Sequence, residues 1–356
     1  MTEGLRADDA GVLLLSRALA TVDPRGVLVV HAGALPGLRG PATRIVLDVR
    51  ELVGARDRCI RADDGPALAA LRDFSDAAVW PRAHLGKDFS FACLALGARA
   101  LRPGGALWCC ARKQKGAQSL ADAMVALLGN VETVARDEGY RLMKSVFEDQ
   151  RDLALAQQWI DVRYAFTEPV LGPLPMHAAP GVFSRRELDD GTRQLIAHVA
   201  AWADRVGAAP AVVLDLCAGI GPLVRFASVR FEHARLLAIE SNLVAASLLR
   251  DNLADARDRL TLWVRDGLPP PAQASREDGG VAPGSVSLAL VNPPTHAERG
   301  ALVALLRGLR PWMAPGGDAF VVVSRAGVSS EGLHEAGAHV DATTVAGYTI
   351  LYAHWP

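Results

Sequence analysis

The chain has 356 residues, half of them hydrophobic, which suits two globular domains and excludes an intrinsically disordered protein. Its 38 basic and 39 acidic residues nearly cancel, so overall charge does not predict strong non-specific nucleic-acid binding. Five cysteines lack metal-ligand spacing and favour free thiols in a reducing cytoplasm. The apolar stretch 11–20 is too short to span a bilayer, so we expect a cytoplasmic protein without a membrane anchor or a metal.

The first part of the chain alternates predicted strands and helices. Helices are predicted at 8–19, 87–100 and 119–128, and strands at 27–30, 45–47, 59–62, 77–81, 106–110, 131–135 and 140–144. This alternation indicates a parallel sheet covered by helices. We therefore predict that residues 1–145 form one α/β domain.

Residues 146–180 break this rhythm. The stretch 147–158 is predicted to be helical, 159–165 alternates like an exposed strand, and 169–180 is rich in proline. We interpret 146–180 as a linker with a hairpin that opens a second domain.

Residues 181–356 resume the alternation and form the predicted second domain. Helices are predicted at 193–203, 243–253 and 297–309, and strands at 211–216, 236–240, 260–264, 286–291, 319–323, 340–345 and 348–353. The loop 269–284, rich in proline and glycine, interrupts the pattern.

Short segments of the first domain recur in the second. Val79-Trp80-Pro81 parallels Val291-Asn292-Pro293, and Gly139-Tyr140 parallels Gly347-Tyr348, each pair at the corresponding place in the pattern. We interpret the chain as a duplication, with two tandem Rossmann-like domains. The first copy is degenerate, because it lacks an acid after its opening strand and an asparagine before its proline.

A glycine loop follows the opening strand of the second domain: Asp215-Leu216-Cys217-Ala218-Gly219-Ile220-Gly221. The glycines let the backbone approach a ligand, and the following helix presents free N–H groups to it. A carboxylate at Asp215 disfavours a phosphate and favours a cationic sulfonium with a free amino group. The pattern therefore predicts an S-adenosylmethionine (AdoMet) site, in which Cys217 is a small packed residue and not a nucleophile.

Acids fall at the ends of three successive predicted strands: Asp215, Glu240 and Asp266. Such ends meet in one crevice, and Glu240 follows the glycine loop by about 20 residues, the spacing at which an acid reaches a ribose diol. Ser241 and Gly267 flank two of these acids and belong to the predicted site. The alternative is that each acid caps a helix or a turn, but three in register with a glycine loop favour the ligand site.

Asn292-Pro293-Pro294 ends another predicted strand and gives the strongest indication of chemistry. The prolines fix the backbone, so the Asn292 amide oxygen and the Pro293 carbonyl are two acceptors aimed at one point. Two such acceptors suit an sp² amino group that attacks a methyl group, with catalysis by positioning. His296 is a further candidate, for target contact or proton loss, and a surface histidine is the equal alternative.

With these motifs the chain resembles class I AdoMet-dependent methyltransferases that methylate amino groups. The segment from Gly181 through Phe183, Asp189, Gly191 and Thr192 resembles the pre-core segment of the ribosomal RNA guanine-N2 methyltransferases, both the C type that acts on the small ribosomal subunit and the G type that acts on the large one. That family has a duplicated methyltransferase fold with a degenerate first copy. The resemblance implies that Phe183, Asp189, Gly191 and Thr192 help bound the AdoMet site. It also implies a guanine amine in ribosomal RNA as the target, with the first domain holding RNA or supporting the fold.

One residue departs from the family pattern. An aromatic residue usually follows Asn-Pro-Pro and can stack on a flipped base, but here Thr295 stands in its place. Phe183 and Trp312 are candidates for that role. Arg185, Arg186 and Arg193 provide local positive charge for phosphates, with a solvated helix start as the equal alternative.

We therefore expect an enzyme that methylates the N2 amine of a guanine in ribosomal RNA or a ribosomal subunit, acting as a monomer. Asn292, Pro293, Pro294 and His296 are its predicted catalytic residues. Its predicted cofactor residues are Phe183, Asp189, Gly191, Thr192, Asp215, Cys217, Ala218, Gly219, Gly221, Glu240, Ser241, Asp266, Gly267 and Asn292. A protein-glutamine methyltransferase and a non-catalytic RNA-binding or ribosome-assembly protein remain the alternatives.

Overall fold

Two compact units make up the chain. In the computed structural model the chain is described over residues 10–31, 35–52, 55, 57–273, 281–294, 298–323 and 326–356. The first unit contains the described residues up to Arg163 together with Ala179–Gly181, and the second contains Tyr164–Ala178 and Val182–Pro356.

The first unit is a seven-stranded sheet with helices. Its strands are β1 (Val27–Val30), β2 (Thr43–Val46), β3 (Arg58–Arg61), β4 (Phe74–Val79), β5 (Leu101–Arg112), β6 (Glu132–Asp137) and β7 (Tyr140–Val146). Its helices are α1 (Ala10–Ala18), α2 (Gly65–Ala69), α3 (Lys87–Ala100), α4 (Ala117–Leu128) and α5 (Leu153–Ile160). The strand order is β3-β2-β1-β4-β5-β7-β6, and β7 runs antiparallel to both of its neighbours.

The second unit begins with a short hairpin, β8 (Tyr164–Phe166) and β9 (Met176–Ala178), and then builds its own seven-stranded sheet. The sheet strands are β10 (Val212–Leu216), β11 (Arg235–Glu240), β12 (Leu260–Val264), β13 (Val286–Val291), β14 (Met313–Val323), β15 (His339–Val345) and β16 (Tyr348–His354). The helices are α6 (Asp190–Val206), α7 (Pro222–Arg230), α8 (Leu243–Asn252), α9 (Arg299–Arg307) and α10 (Ala326–Glu335).

The two sheets have the same topology. The second sheet has the order β12-β11-β10-β13-β14-β16-β15, which matches the first strand for strand, with β16 in the antiparallel place of β7. The α/β fold with two tandem Rossmann-like domains is therefore confirmed. In both sheets the parallel strands form the centre, where helices bury both faces.

The central strand of the second unit shows why these residues form a buried sheet. All five residues of β10 are buried, and Val213, Leu214 and Leu216 have no exposed surface. Each such side chain contributes roughly 1.5–3 kcal/mol when it leaves water. The apolar run thus places the glycine loop at the carboxyl end of a rigid strand.

The predicted structure of residues 147–165 is wrong in its details. The helix is α5 and begins only at Leu153, because the Asp152 side chain caps it by accepting from Leu155 N at 2.8 Å. Phe147 instead continues the pairing of β7 with β5, and its N–H donates to Gly105 O at 2.9 Å. Of the predicted exposed strand 159–165, only the last two residues lie in a strand, β8 (Tyr164–Phe166).

Candidate active site

The glycine loop turns tightly between β10 and α7. Gly219 and Gly221 have φ of 58° and 95°, backbone conformations that glycine adopts without strain. A Cβ on Gly221 would lie 2.9 Å from Leu249 Cγ, so the loop packs closely on α8. A Cβ on Gly219 would meet no atom within 4 Å, which leaves that face of the loop open. The buried Ala218 N–H donates to Ile239 O at 3.0 Å and fixes the loop to β11.

Cys217 lies in this loop with a φ of 68°, in the left-handed region that disfavours residues with a side chain. It is half-buried and packs against the apolar cluster on one face of the sheet. The structure therefore places Cys217 as a packed residue of the loop, at a position whose backbone suits glycine.

Asp215 lies inside β10 and has no exposed surface. Its Oδ2 accepts a hydrogen bond from Val224 N at 2.9 Å, in the first turn of α7, whereas Oδ1 has no hydrogen-bond partner among the described residues. Burial raises the pKa of Asp215 to about 8, the Val224 N–H opposes this rise, and the nearby Glu240 adds to it. Asp215 thus supports a helix start and keeps one buried oxygen free for a donor.

Glu240 ends β11 and ties two backbone segments together. Its Oε2 accepts from Gly219 N at 2.7 Å, and its Oε1 accepts from Asn242 N at 2.6 Å. Asn242 in turn caps α8 by accepting from Val244 and Ala245 N–H, and Ser241 lies half-buried between the two. The carboxylate therefore lies between the glycine loop and the start of α8.

Asp266 and Gly267 follow β12, which pairs with β11. Glu240 lies opposite Val264 in the ladder, so Asp266 extends two residues beyond that level and is exposed. Gly267 has a φ of 65° and turns the chain there. Asp215 lies opposite Ala238 and is therefore deeper in the sheet than Glu240. The three acids lie on adjacent strands at three different depths.

Asn292 follows β13, which pairs with β10 on the other side. Its Nδ2 donates to Thr192 Oγ1 at 2.8 Å and to Asp189 Oδ2 at 3.2 Å. Pro293 is buried and Pro294 is exposed. The structure thus brings Asn292 together with two residues of the pre-core segment, at a separation of 103 residues from Asp189.

The pre-core segment presents one aromatic side chain to solvent. Phe183 is 63% exposed, whereas its neighbour Val182 is 2% exposed. The guanidinium of Arg186 lies 4.9 Å from the centre of the Tyr164 ring. This combination anchors the segment on both sides of an exposed phenyl ring.

Two of the other candidates have structural partners. Arg193 forms a bidentate ion pair with Glu168, with both N···O distances at 2.8 Å, and these bonds lower the pKa of Glu168. Its charge is therefore matched within the chain. Trp312 is fully buried and its indole N–H donates to Pro269 O, so it cannot stack on a base. Thr295 and the predicted catalytic His296 lie outside the described residues.

Sequence reasoning missed the contact that explains Gly191. A Cβ there would lie 3.1 Å from both Asp189 Oδ2 and Tyr348 Cε1. Gly191 therefore leaves room for both the Asp189 carboxylate and the Tyr348 ring of β16. A glycine two residues after a helix-capping Asp was the only signal in the sequence.

Among the described residues, the first unit has no carboxylate at the strand positions of Asp215 and Glu240. Strand register aligns the two sheets, because Val30 pairs with Ile45 and Val79 as Leu216 pairs with Ile239 and Val291. Val46 then takes the place of Glu240, and His31, with a φ of 52°, takes that of Cys217. The degenerate copy thus has no carboxylate at the strand position of Glu240, and Asp48, two residues further on, accepts from Arg50 N instead.

Side chains of the first unit contact one another at the corresponding end of its sheet. Arg82 Nε donates to His31 O at 3.2 Å, and its Nη2 pairs with Glu51 at 2.5 Å. The His31 ring lies 5.1 Å from the Phe89 ring, and burial, with Arg82 nearby, lowers the pKa of His31 to about 3.

Within the described parts of the chain, no three His, Cys, Asp or Glu side chains cluster as a metal would require. No helix in those parts is long and apolar enough to cross a bilayer. None of the five cysteines forms a disulfide bond.

The duplicated Rossmann-like fold, with the glycine loop, acids and Asn-Pro-Pro strand end of its second unit, defines an AdoMet-dependent methyltransferase. The profile of the Methyltransferase small domain family matches residues 173–352, about half of the chain. The chain belongs to this family.

Comparison with known proteins gives relatives along most of the chain. The ribosomal RNA small subunit methyltransferase C of Chromohalobacter salexigens is 29% identical over 276 residues, 76% of this chain and 74% of that protein. The protein of the same name from Pseudomonas entomophila is 36% identical over 126 residues, 35% of this chain and 32% of that protein. The solved structure of the T. thermophilus 16S rRNA N2 G1207 methyltransferase, in complex with AdoMet and guanosine, has a TM-score of 0.78. It is 22% identical, covers 99% of this chain and 93% of its own, and shares the fold.

Proposed function

We propose that this protein transfers a methyl group from AdoMet to the exocyclic N2 amine of a guanine in ribosomal RNA. The observation that carries the proposal is the Asn292 amide. Its nitrogen donates to Asp189 and Thr192, so its oxygen is left to accept from a substrate amine. Relatives named ribosomal RNA small subunit methyltransferase C, and a structure of the same fold with bound AdoMet and guanosine, support this target.

The second unit contains groups that suit each part of AdoMet. The free Oδ1 of Asp215 suits a cationic amino group, and the open face at Gly219 admits a ligand against the backbone. Glu240 and Ser241 would hold the ribose, and Asp266 and Gly267 the adenine, while Cys217, Ala218 and Gly221 shape the loop. When bound, AdoMet supplies an electrophilic methyl group on a sulfonium.

Asn292 and Pro293 carry out the positioning. Their two oxygens accept the hydrogens of the target amine, which directs its lone pair toward the methyl group. As the N–C bond forms, the S–C bond breaks and the amine loses one proton. Pro294 keeps the backbone frame stiff because its ring fixes φ. His296 remains the candidate for taking the proton.

Phe183 is the candidate that holds the target base. It is the most exposed large apolar side chain among the described residues, although its segment is anchored at Val182 and Arg186. An exposed aromatic ring on an anchored segment suits stacking on an extruded base. It would thereby take the role of the aromatic residue that the family usually has at the position of Thr295. This role competes with the expectation that Phe183 bounds the AdoMet site.

The first unit offers a surface for RNA phosphates. Five basic residues, which we call the basic edge, lie where the end of β5 meets the β6–β7 hairpin: Arg112, Lys113, Lys115, Arg136 and Arg141. Arg136 and Arg141 lie opposite each other on one face of the sheet, whereas Arg112 lies opposite Tyr140 on the other face. Lys113 N donates to Gly139 O at 2.9 Å, which joins the two segments, and the hairpin turn adds only Asp137 and Glu138 as acids. We propose that the basic edge contacts ribosomal RNA.

We also propose that the protein acts as a monomer in the cytoplasm.

Methyl transfer from labelled AdoMet tests the function directly. The acceptors are ribosomal subunits, naked ribosomal RNA and total protein from a strain that lacks this gene, followed by nucleoside analysis. We expect label in N2-methylguanosine from one of the two ribosomal subunits. Asn292→Ala should abolish transfer and still bind AdoMet.

The same experiment separates the alternatives. Label in protein glutamine would replace the RNA target with a protein. Absence of label in every acceptor, with AdoMet still bound, would favour an RNA-binding or assembly role. An assembly protein would also keep its cellular role in the Asn292→Ala variant.

A further inference from the structure

We propose that Asp189 and Thr192 are positioning residues that hold the Asn292 amide in its productive orientation, and that they do not contact AdoMet. This inference rests on the proposed function and assigns a role within it. The observations are the two hydrogen bonds from Asn292 Nδ2, to Thr192 Oγ1 at 2.8 Å and to Asp189 Oδ2 at 3.2 Å. The two acceptors lie 3.2 Å apart, so the nitrogen side of the amide faces α6 and its cap.

The donors and acceptors of this cluster form a consistent chain. Thr192 Oγ1 accepts from Asn292 and donates to Asp189 Oδ2 at 3.2 Å, while Thr192 N donates to the same carboxylate oxygen at 2.9 Å. A reversed Asn292 amide would place its oxygen against the Asp189 carboxylate, an acceptor facing an acceptor. The ionised carboxylate therefore selects one of the two amide orientations.

The helix start makes this cluster rigid. Asp189 is the N-cap of α6, whose next turns bury Leu195, Ile196 and Val199 in the core of the second unit. Thr192 is 3% exposed, so water does not compete for its hydroxyl. Gly191 leaves the space that the Asp189 carboxylate occupies. One cap thus serves a helix and a catalytic side chain together.

The consequence for catalysis follows from the amide's asymmetry. In the held orientation the Asn292 oxygen accepts from the substrate amine. If the amide rotated by half a turn, it would present an NH₂ group to another NH₂ group. Loss of the holding bonds should therefore reduce the rate of methyl transfer more than the binding of either substrate.

Three variants of the full-length protein test the proposal. Thr192→Val removes the hydroxyl at nearly constant shape, Thr192→Ser keeps it, and Asp189→Asn removes the charge that selects the orientation. We expect kcat to fall by about tenfold to a hundredfold in Thr192→Val and Asp189→Asn, the range that misplacement of a reacting group produces. Thr192→Ser should retain most of kcat. The Kd of AdoMet, from calorimetry, should change by less than about threefold, since a lost contact of 1 kcal/mol already exceeds this.

Two results would overturn the positioning role. Equal kcat in Thr192→Val and Thr192→Ser would show that the hydroxyl holds nothing of consequence. A loss of AdoMet affinity in parallel with kcat would make Asp189 and Thr192 cofactor contacts, as the family resemblance implies.

A measurement without substrate separates this proposal from the proposed function. The side-chain amide signals of Asn292 in NMR spectra, assigned by their absence in Asn292→Asp, should shift and exchange faster with water in Thr192→Val than in Thr192→Ser. If these signals respond as expected while no guanine is methylated, the holding role stands and the substrate assignment fails. If guanine is methylated but the signals are identical in both variants, the holding role fails alone.

Discussion

The Glu240 carboxylate accepts a hydrogen bond from the backbone N–H of Gly219 at 2.7 Å, across 21 residues of sequence. The end of one strand therefore holds the glycine loop of its neighbour in place. The same carboxylate accepts from Asn242 N–H, so one side chain organises the loop and the next helix start. In the first unit Val46 occupies this place and cannot do so.

Glu240→Gln should weaken AdoMet binding by about tenfold or more, because a charge-assisted hydrogen bond contributes about 1.5–3 kcal/mol. Glutamine also turns an NH₂ group toward one of two backbone N–H donors. The thermal unfolding midpoint of the free protein should fall as well. Calorimetric titration with AdoMet measures the affinity, with the exposed Glu232→Gln as the matched control. Equal affinities for the two variants would contradict the role of Glu240.

The buried Asp215 should make stability depend on pH. Its pKa rises from 3.8 to about 8 on folding, so the folded chain holds this proton more tightly than the unfolded chain. Its contribution to stability is fully present below about pH 4 and is lost as the pH rises toward 8. Asp215→Asn, which resembles the protonated acid, should gain in unfolding midpoint relative to wild type as the pH rises through this window. Asp251→Asn, at an exposed position, is the control, and its unfolding midpoint should change with pH as that of the wild type does. If the midpoint of Asp215→Asn also changed in parallel with the wild type, the stability effect assigned to Asp215 would be wrong.

Cys217 should be replaceable by glycine without loss of stability. A left-handed conformation costs a residue with a side chain roughly 1–2 kcal/mol, which glycine avoids. The entropy that glycine loses on folding offsets about half of this gain. Cys217→Val, which is β-branched, should lower the unfolding midpoint clearly. If chemical or thermal unfolding ranks Val above Gly at this position, the strain assignment is wrong.

Phe183→Leu should reduce kcat/KM for the RNA by about tenfold, since stacking on one base is worth about 1–3 kcal/mol. Phe183→Trp should retain most of the activity because it keeps a π-face. Steady-state kinetics with varied RNA give the values, and the Kd of AdoMet is measured alongside. A fall in AdoMet affinity in Phe183→Leu would instead assign the ring to the cofactor.

The basic edge should appear in the salt dependence of RNA binding. Each phosphate contact adds about 0.7–0.9 to the slope of log K against log salt concentration. The double variant Lys113→Gln with Lys115→Gln should therefore lower the slope by about 1.4 to 1.8, one contact for each lysine. Lys144→Gln is the control, because that ammonium lies 5.3 Å from the Trp108 ring centre. An unchanged slope would place the RNA elsewhere.

Local sequence patterns were enough to predict the strands, the turns and the repeated fold of this protein. The apolar run of β10, the glycines after it and the acid ending β11 are neighbours in sequence, so they predicted the strand, the turn and the site edge. The echo of Val79-Trp80-Pro81 in Val291-Asn292-Pro293 likewise predicted the repeated fold that the sheet orders confirm. The assignment of individual residues to the cofactor or the substrate stays a prediction.

Only the tertiary structure decided which partner each side chain takes. Arg193 has the sequence setting of a phosphate contact, but Glu168 neutralises it from 25 residues away. Trp312 has the ring for stacking, but it is fully buried and its indole N–H donates to Pro269 O. The orientation of the Asn292 amide depends on Asp189, which only the folded sheet and helix bring within 3.2 Å. Backbone preference acts within a few residues, whereas burial and hydrogen-bond choice are set by groups that folding brings together.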